Sequence, residues 1–139
     1  MTVGLKRFVE AQSGGVYERA LGELRNGQKE SHWMWFIFPQ VEGLGQSEIS
    51  RFYAISGRAE AEAYLAHDLL GPRLLECTRA VLGWAGRRST LRIFGSVDAL
   101  KFGSSMTLFE ACSDDPAPFA AALDAFALGR RDDATLDRI

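Results

Sequence analysis

The chain has 139 residues, the size of one ordinary domain, and 47% of them are hydrophobic. Charged residues make up 24% and the formal net charge is −2, so the composition predicts a folded core and excludes an intrinsically disordered chain. The 16 basic residues are scattered rather than gathered into a stripe, which argues against a nucleic-acid-binding surface. No linker, repeat or low-complexity tract interrupts the chain. We therefore expect a single domain over residues 1–139.

The sequence contains no pattern typical of a metal site, a disulfide framework or export. Cys77 and Cys112 lack the spacing of metal ligands, and the two histidines are far apart in sequence. We therefore predict no metal and no cofactor. The first ten residues carry no apolar run of a signal peptide, and the longest apolar run, 33–38, is too short to span a bilayer. A cytoplasmic location away from the membrane is the expectation.

Helical spacing of apolar residues recurs through the first half of the chain, with glycine, proline or a capping residue at the ends. It predicts helices around 5–9, over 17–24, after a Ser47 N-cap, over 59–66 and over 72–82. The last of these begins at a Gly-Pro pair, and proline suits the first position of a helix.

The second half continues the helical pattern. It predicts helices over 97–102 with Ser96 as N-cap, from Ser104 or Ser105 through 112, from Pro116 to about 128 and over 134–139. Residues 91–94 are also compatible with a short strand, but four residues cannot support a sheet. The patterns together predict a mainly α fold of about six to eight helices, with at most a minimal strand pair.

The decapeptide 31–40, SHWMWFIFPQ, is the most informative stretch of the sequence. Its six consecutive bulky apolar residues, 33–38, leave no polar face under either helical or strand periodicity. We therefore expect this run to be buried all round or nearly so. Pro39 ends any helix that precedes it.

Polar residues lie at both ends of that apolar run, and two interpretations of them remain open. In the first, which is the more frequent outcome for buried polar groups, His32 and Gln40 satisfy structural hydrogen bonds. In the second, both line a ligand pocket beside Trp33 or Trp35.

A second segment, 94–109, combines glycines, serines and one lysine. Asp98 lies three residues before Lys101, which is the spacing of an ion pair on a helix. Alternatively, Lys101, the hydroxyls of Ser104 and Ser105 and free N–H groups at a helix start would bind an anion or a nucleotide phosphate. No Walker, dinucleotide-binding or nucleophile-elbow spacing accompanies the segment.

Several motifs together resemble a known family. They are Arg7-Phe8-Val9, the decapeptide 31–40, Gly43-Leu44-Gly45, Leu70-Gly71-Pro72 and the segment 101–109, KFGSSMTLF. On these residues the chain is similar, over nearly its whole length, to the bacterial and fungal family known as domain of unknown function 1810, sometimes labelled calpastatin-like. The resemblance implies a mainly helical fold without an established function. The sequence departs from the family at Asp68, where proline is usual, and at Gly103, where a larger residue is usual.

The sequence supports two hypotheses of function. In the first, a pocket binds a small anionic or nucleotide-like ligand, which a hydrolase or lyase would also convert. His32 would then be the acid or base, Lys101 the anion contact, Gln40 and Ser104 the orienting groups, and Trp33 or Trp35 the stacking wall, with Asp98 and Ser105 beside them. This hypothesis requires His32 and Lys101 on one side of the domain. In the second, the chain is a non-enzymatic interaction module, and an exposed apolar patch contacts a protein partner.

Overall fold

The structure, a computed structural model, describes residues 4–139. Within that range the chain forms helices and no strands. The helices are α1 (Lys6–Ala11), α2 (Val16–Arg25), α3 (Met34–Ile37), α4 (Glu48–Phe52), α5 (Arg58–Ala66), α6 (Leu70–Leu82), α7 (Thr90–Phe94), α8 (Ser96–Cys112), α9 (Ala117–Phe126) and α10 (Asp133–Leu136). The mainly α class is confirmed, although the described part has ten helices instead of six to eight because several are a single turn. None of these helices combines the length and apolarity needed to cross a bilayer.

One hydrophobic core joins the helices, and α8 is at its centre. This 17-residue helix packs against α5, α7, α9 and α10, while α6 packs against α2, α5 and α9. The largest fully buried side chains include Trp33, Tyr64, Phe8, Phe38, Phe109 and Phe119. The decapeptide therefore supplies part of the centre of the core, as its apolar run predicted.

Residues 91–94 belong to a helix, so their interpretation as a possible strand is wrong. The hydroxyl oxygen of Ser89 accepts a hydrogen bond from the backbone N–H of Arg92 at 3.2 Å, which caps α7. This cap satisfies one of the otherwise unpaired donors of the first turn.

The break predicted inside 97–112 is also absent, because α8 runs through it without interruption. Ser96 is the first residue of the helix and Gly95 is its N-cap, so the N-cap predicted at Ser96 is wrong, and no side chain caps this end. Ser104 and Ser105 lie in the helix interior. Side chains on several sides of α8 are buried, so tertiary packing outweighs the low helix propensity of glycine and serine in this segment.

The chain between α3 and α5 forms a loop over residues 42–54 whose two ends meet. Its ends are joined by an isolated parallel bridge between Val41 and Ile55. The backbone N–H of Ile55 donates to the carbonyl of Gln40, and that of Glu42 donates to the carbonyl of Ile55, both at 2.8 Å. Ser47 caps α4 within this loop, as predicted, and α4 itself has no buried residue.

A buried arginine fixes this loop to the body of the domain. Arg7 on α1 donates to the carbonyls of Phe52 and Ala54, each at 2.8 Å. Its guanidinium also pairs with Glu60 on α5 at 3.1 Å, with only 5% of the Arg7 side chain exposed. Since buried charges need partners, this pair holds the loop beside α1 and α5.

Candidate functional site

The apolar run 33–38 is buried except at one residue. Trp33, Met34, Phe36, Ile37 and Phe38 are each at most 8% exposed, whereas Trp35 is half-buried. Because α3 is a single turn that packs on the core, it leaves one of its side chains at the surface.

Trp33 is a core residue and has no exposed face for a ligand. It is 1% exposed, and its indole N–H donates to Glu23 at 2.8 Å. The predicted stacking role therefore does not suit Trp33, because burial and the bond to Glu23 account for both its ring and its polar atom.

Glu23, which the sequence did not single out, is the acceptor for this part of the core. Its carboxylate also accepts from the backbone N–H of Glu30 at 2.8 Å, from that of Ser31 at 2.9 Å and from the Ser31 hydroxyl. Burial alone would raise the pKa of Glu23, but these bonds to the charged form lower it to about 2. The sequence signal was weak: a glutamate at the edge of the apolar stripe of α2.

Trp35 borders a cleft of about 180 Å³ between α3, α8 and the loop 42–54. The side chains and backbone that line it include Trp35, Gln40, Ser47, Ser50, Tyr53 and Lys101. Trp35 and Tyr53 supply aromatic walls, and burial raises the pKa of the Tyr53 phenol above its usual range. The phenol is therefore neutral, and Lys101 carries the charge among these lining groups.

Lys101 shares a carboxylate with a second lysine. Its Nζ lies 3.7 Å from Oδ1 of Asp98, which confirms the local pair predicted from their spacing. Lys29, from the segment between α2 and α3, lies closer to the same carboxylate, at 3.0 Å from Oδ2. The Nζ of Lys101 is also 5.4 Å from the ring centroid of Trp35. The three charged groups together carry one net positive charge beside the cleft.

Gln40 lies at the base of the loop 42–54 and lines the cleft. Its backbone carbonyl accepts a hydrogen bond from Ile55. Gln40 is half-buried, and its side-chain amide makes no hydrogen bond to any other residue in 4–139 and is not fully buried. The structure therefore brings together three of the predicted site residues, Trp35, Gln40 and Lys101, with Asp98 behind the lysine.

The model of a protein family described as protein of unknown function (DUF1810) matches residues 2–139. The chain belongs to the DUF1810 family. It is similar to a solved structure, the conserved hypothetical protein Rv1873 from Mycobacterium tuberculosis, at 50% identity and a TM-score of 0.92. That match covers 96% of this chain and 94% of the other. No curated protein matches the sequence. The family resemblance found in the sequence motifs is thereby confirmed.

In this DUF1810 chain, His32 does not line the cleft that Lys101 lines. It is an exposed residue before α3 and borders a separate groove with Gly15 and Arg19. His32 and Lys101 therefore line different pockets. His32 directly precedes the buried Trp33 in the sequence. Lys101, in contrast, meets Trp35 only through the fold, with its Nζ 5.4 Å from the ring centroid.

Ser104 and Ser105 also lie outside the cleft. The Ser104 hydroxyl donates to Asp132 at 2.9 Å and so fixes the segment before α10 to α8. Ser105 is fully buried within α8, and its hydroxyl has no partner among the described residues. Because both serines are in the helix interior, their backbone N–H groups are not free, and the anion site predicted at a helix start does not form.

Two other kinds of site, a metal centre and a cysteine nucleophile, find little support in the described residues of the DUF1810 chain. Within 4–139, no three His, Cys, Asp or Glu side chains are close enough to hold a metal ion. Both cysteines are buried. Burial raises the pKa of the Cys77 thiol to about 12, so it is not a ready nucleophile.

Proposed function

We propose that this DUF1810 protein binds a small anionic ligand in the cleft beside Trp35, with Lys101 as the anion contact. The observation that supports the proposal most directly is the sharing of Asp98 by two lysines. Lys29 is the closer partner, at 3.0 Å against 3.7 Å for Lys101. Asp98 therefore neutralises the Lys101 ammonium only in part, and an anion in the cleft would complete the neutralisation.

The size of the cleft restricts the ligand. Its volume of about 180 Å³ is below the roughly 300–1,000 Å³ typical of sites that enclose a drug-sized molecule. A whole nucleotide would therefore not be enclosed. A nucleotide-like ligand would place one ring or its anionic group in the cleft and leave the remainder in solvent.

Binding without catalysis fits the lining groups best. Among the described residues that line the cleft, Lys101 and Tyr53 are the ionisable ones, and a general acid–base pair such as His with a carboxylate is missing from that set. Gln40 would orient the ligand, and Trp35 and Tyr53 would contact its apolar part.

A thermal-shift screen of small carboxylates, phosphorylated metabolites and nucleotides tests this proposal. A ligand that binds the native state stabilises it by mass action and so raises the melting temperature. At a ligand concentration about 100 times the dissociation constant, the free energy of unfolding increases by about 2.7 kcal/mol. We expect Lys101→Gln to weaken binding about ten-fold or more, because it removes a charge-assisted contact. The control is Lys6→Gln, since the Lys6 side chain is 82% exposed on α1 and does not line the cleft.

The proposal is contradicted if an anion shifts the melting temperature of wild type and Lys101→Gln equally. Circular dichroism of each variant shows whether the helices are intact, so that a loss of binding is not confused with a loss of fold.

A second candidate function, protein interaction, is favoured by three exposed apolar side chains on α7 and the start of α8. Leu91, Val97 and Leu100 are 59%, 65% and 77% exposed. Val97 and Leu100 are three residues apart and share a face of α8. Sedimentation of wild type and Leu100→Asp over a concentration series tests whether this face mediates self-association; a monomer throughout would oppose that form of interaction.

A further inference from the structure

We infer that the ligand of the cleft is a single planar heterocycle that carries one carboxylate and presents an amide-like edge to Gln40. This inference rests on the proposed function and specifies the ligand class for the same cleft. Four features of the structure lead to it: the volume of the cleft, its aromatic walls, the unpaired amide and the net charge.

The volume corresponds to one ring with a small substituent. The cleft has about 180 Å³. For comparison, an apolar protein cavity of about 150 Å³ binds benzene. A fused ring system with a sugar attached would extend beyond the cleft.

The walls suit a flat ring. Trp35 is half-buried at one wall, and Tyr53 lies at another. The Tyr53 ring is held by neighbours, with ring centroids 5.4 Å from Phe36 and 5.8 Å from Phe8. Aromatic side chains that are fixed in this way provide stacking surface without a large loss of side-chain entropy on binding.

The amide of Gln40 supplies directional recognition. A glutamine amide presents a donor and an acceptor side by side, and this pattern complements an adjacent N–H and C=O on a heterocycle. The Gln40 backbone is anchored at the Val41–Ile55 bridge, whereas its amide has no partner within residues 4–139. A ligand with such an edge replaces the hydrogen bonds that this amide makes to water, whereas a plain hydrocarbon ring would displace the water and replace none of them.

The charge favours a monoanion. Lys29, Lys101 and Asp98 together leave one positive charge. One carboxylate neutralises it, whereas a phosphate dianion would leave an excess of negative charge. The position of the Lys101 Nζ, 5.4 Å from the Trp35 centroid, places the cation beside the aromatic wall, where a substituent on a stacked ring would meet it.

The test compares four probes that separate ring edge from charge. Orotate has both the amide-like edge and the carboxylate, uracil has only the edge, benzoate has only the carboxylate, and inorganic phosphate has neither ring nor edge. Binding is measured by NMR titration of the full chain, with the indole N–H of Trp35 as a reporter. We expect orotate to bind about ten-fold or more tightly than either uracil or benzoate, since each feature adds a separate interaction.

Two substitutions test whether Gln40 recognises the ring edge and whether Lys101 recognises the carboxylate. Gln40→Leu should reduce orotate binding to the level of benzoate and leave benzoate unchanged. Lys101→Gln should weaken both carboxylates and leave uracil unchanged. The matched control is Gln28→Leu, because Gln28 is exposed and lies outside the cleft.

The outcomes distinguish this inference from the proposed function. If orotate binds no more tightly than benzoate, or if Gln40→Leu preserves the difference, the edge-recognition inference is overturned while the anion site stands. If inorganic phosphate is the one probe that binds, and its binding depends on Lys101, the inference of a ring-shaped ligand is overturned while the anion site stands. If no anion binds in a Lys101-dependent manner, the proposed function falls as well.

Discussion

Trp33 and Trp35 are two residues apart in one motif, yet they occupy opposite kinds of environment. Trp33 is 1% exposed, and its indole N–H is bonded to a carboxylate that accepts three further hydrogen bonds. Trp35 is half-exposed beside a cleft where the amide of Gln40 has no partner in the described chain and Lys101 shares its counterion.

The difference shows how hydrogen-bond saturation separates a structural cluster from a candidate binding site. Around Trp33, the indole N–H and three donors from residues 30 and 31 all bond to the Glu23 carboxylate, so this cluster stabilises the fold. Around Trp35, the Gln40 amide has no protein partner within residues 4–139 and Lys101 shares Asp98 with Lys29, so a ligand would replace water at both groups. Substitutions in the first region should therefore change stability, and substitutions in the second should change binding.

The largest effect is expected for Glu23→Ala. This substitution leaves the indole of Trp33 and the donors of residues 30 and 31 without their acceptor, and we expect a loss of about 3 kcal/mol in the free energy of unfolding. Urea denaturation measures it. Glu18→Ala is the control, because Glu18 is exposed on the same helix and should change stability by less than about 0.5 kcal/mol. Equal effects of the two substitutions would contradict the structural role of Glu23.

A second prediction concerns acid. The pKa of Glu23 is lowered from 4.5 to about 2 in the folded chain, so its contribution to stability is fully present above about pH 5 and is lost as the pH falls toward 2. Between about pH 5 and pH 3 this group should account for a loss of about 2 kcal/mol, since each pH unit between the two pKa values corresponds to about 1.4 kcal/mol.

The acid prediction is checked by urea denaturation of wild type and Glu23→Gln across that range. The variant should start less stable and lose less stability on acidification, because its side chain does not titrate. Parallel pH profiles would show that other carboxylates, such as Glu60 with its own lowered pKa, account for the acid sensitivity.

The smallest predicted change in stability is that of Gln40→Leu, and Gln12→Leu provides the comparison. Gln12 is 2% exposed, and its amide donates to the carbonyl of Phe36 at 2.8 Å, so Gln12→Leu should cost about 1.5 kcal/mol of stability. Gln40→Leu removes no hydrogen bond within residues 4–139 and should change stability by less than about 0.5 kcal/mol. Chemical denaturation of both variants measures the contrast. A large loss for Gln40→Leu would assign that residue to the structural region.

Local patterns allowed most helices to be predicted. Helical spacing and end signals identified α2, α5, α6 and α9 closely. The errors arose where local signals competed with packing. Ser104 and Ser105 have the composition of a cap, but the continuous burial around α8 keeps them helical. Residues 91–94 are apolar enough for a strand, but the Ser89 cap and the short connection to α8 favour a helix.

The candidate site was only partly predictable. The sequence indicated Trp35, Gln40 and Lys101 as members of a site and paired Asp98 with Lys101. It also included His32, Trp33, Ser104 and Ser105, which the structure places elsewhere. It omitted Glu23, Lys29 and Tyr53, whose positions depend on contacts with distant segments of the chain.

The sequence by itself determined that this chain is helical, that most of the run 33–38 is buried, and that it belongs to the family its motifs resemble. The first two properties follow from composition and from spacings of three or four residues along a helix, whereas the family follows from the resemblance of specific motifs. Only the tertiary structure decided which tryptophan borders a cleft and which lysine lies closer to Asp98. A side chain's free hydrogen-bonding capacity depends on the groups that the returning chain brings to it, and Glu23 and Lys29 reach Trp33 and Asp98 from helices and loops that no local pattern connects.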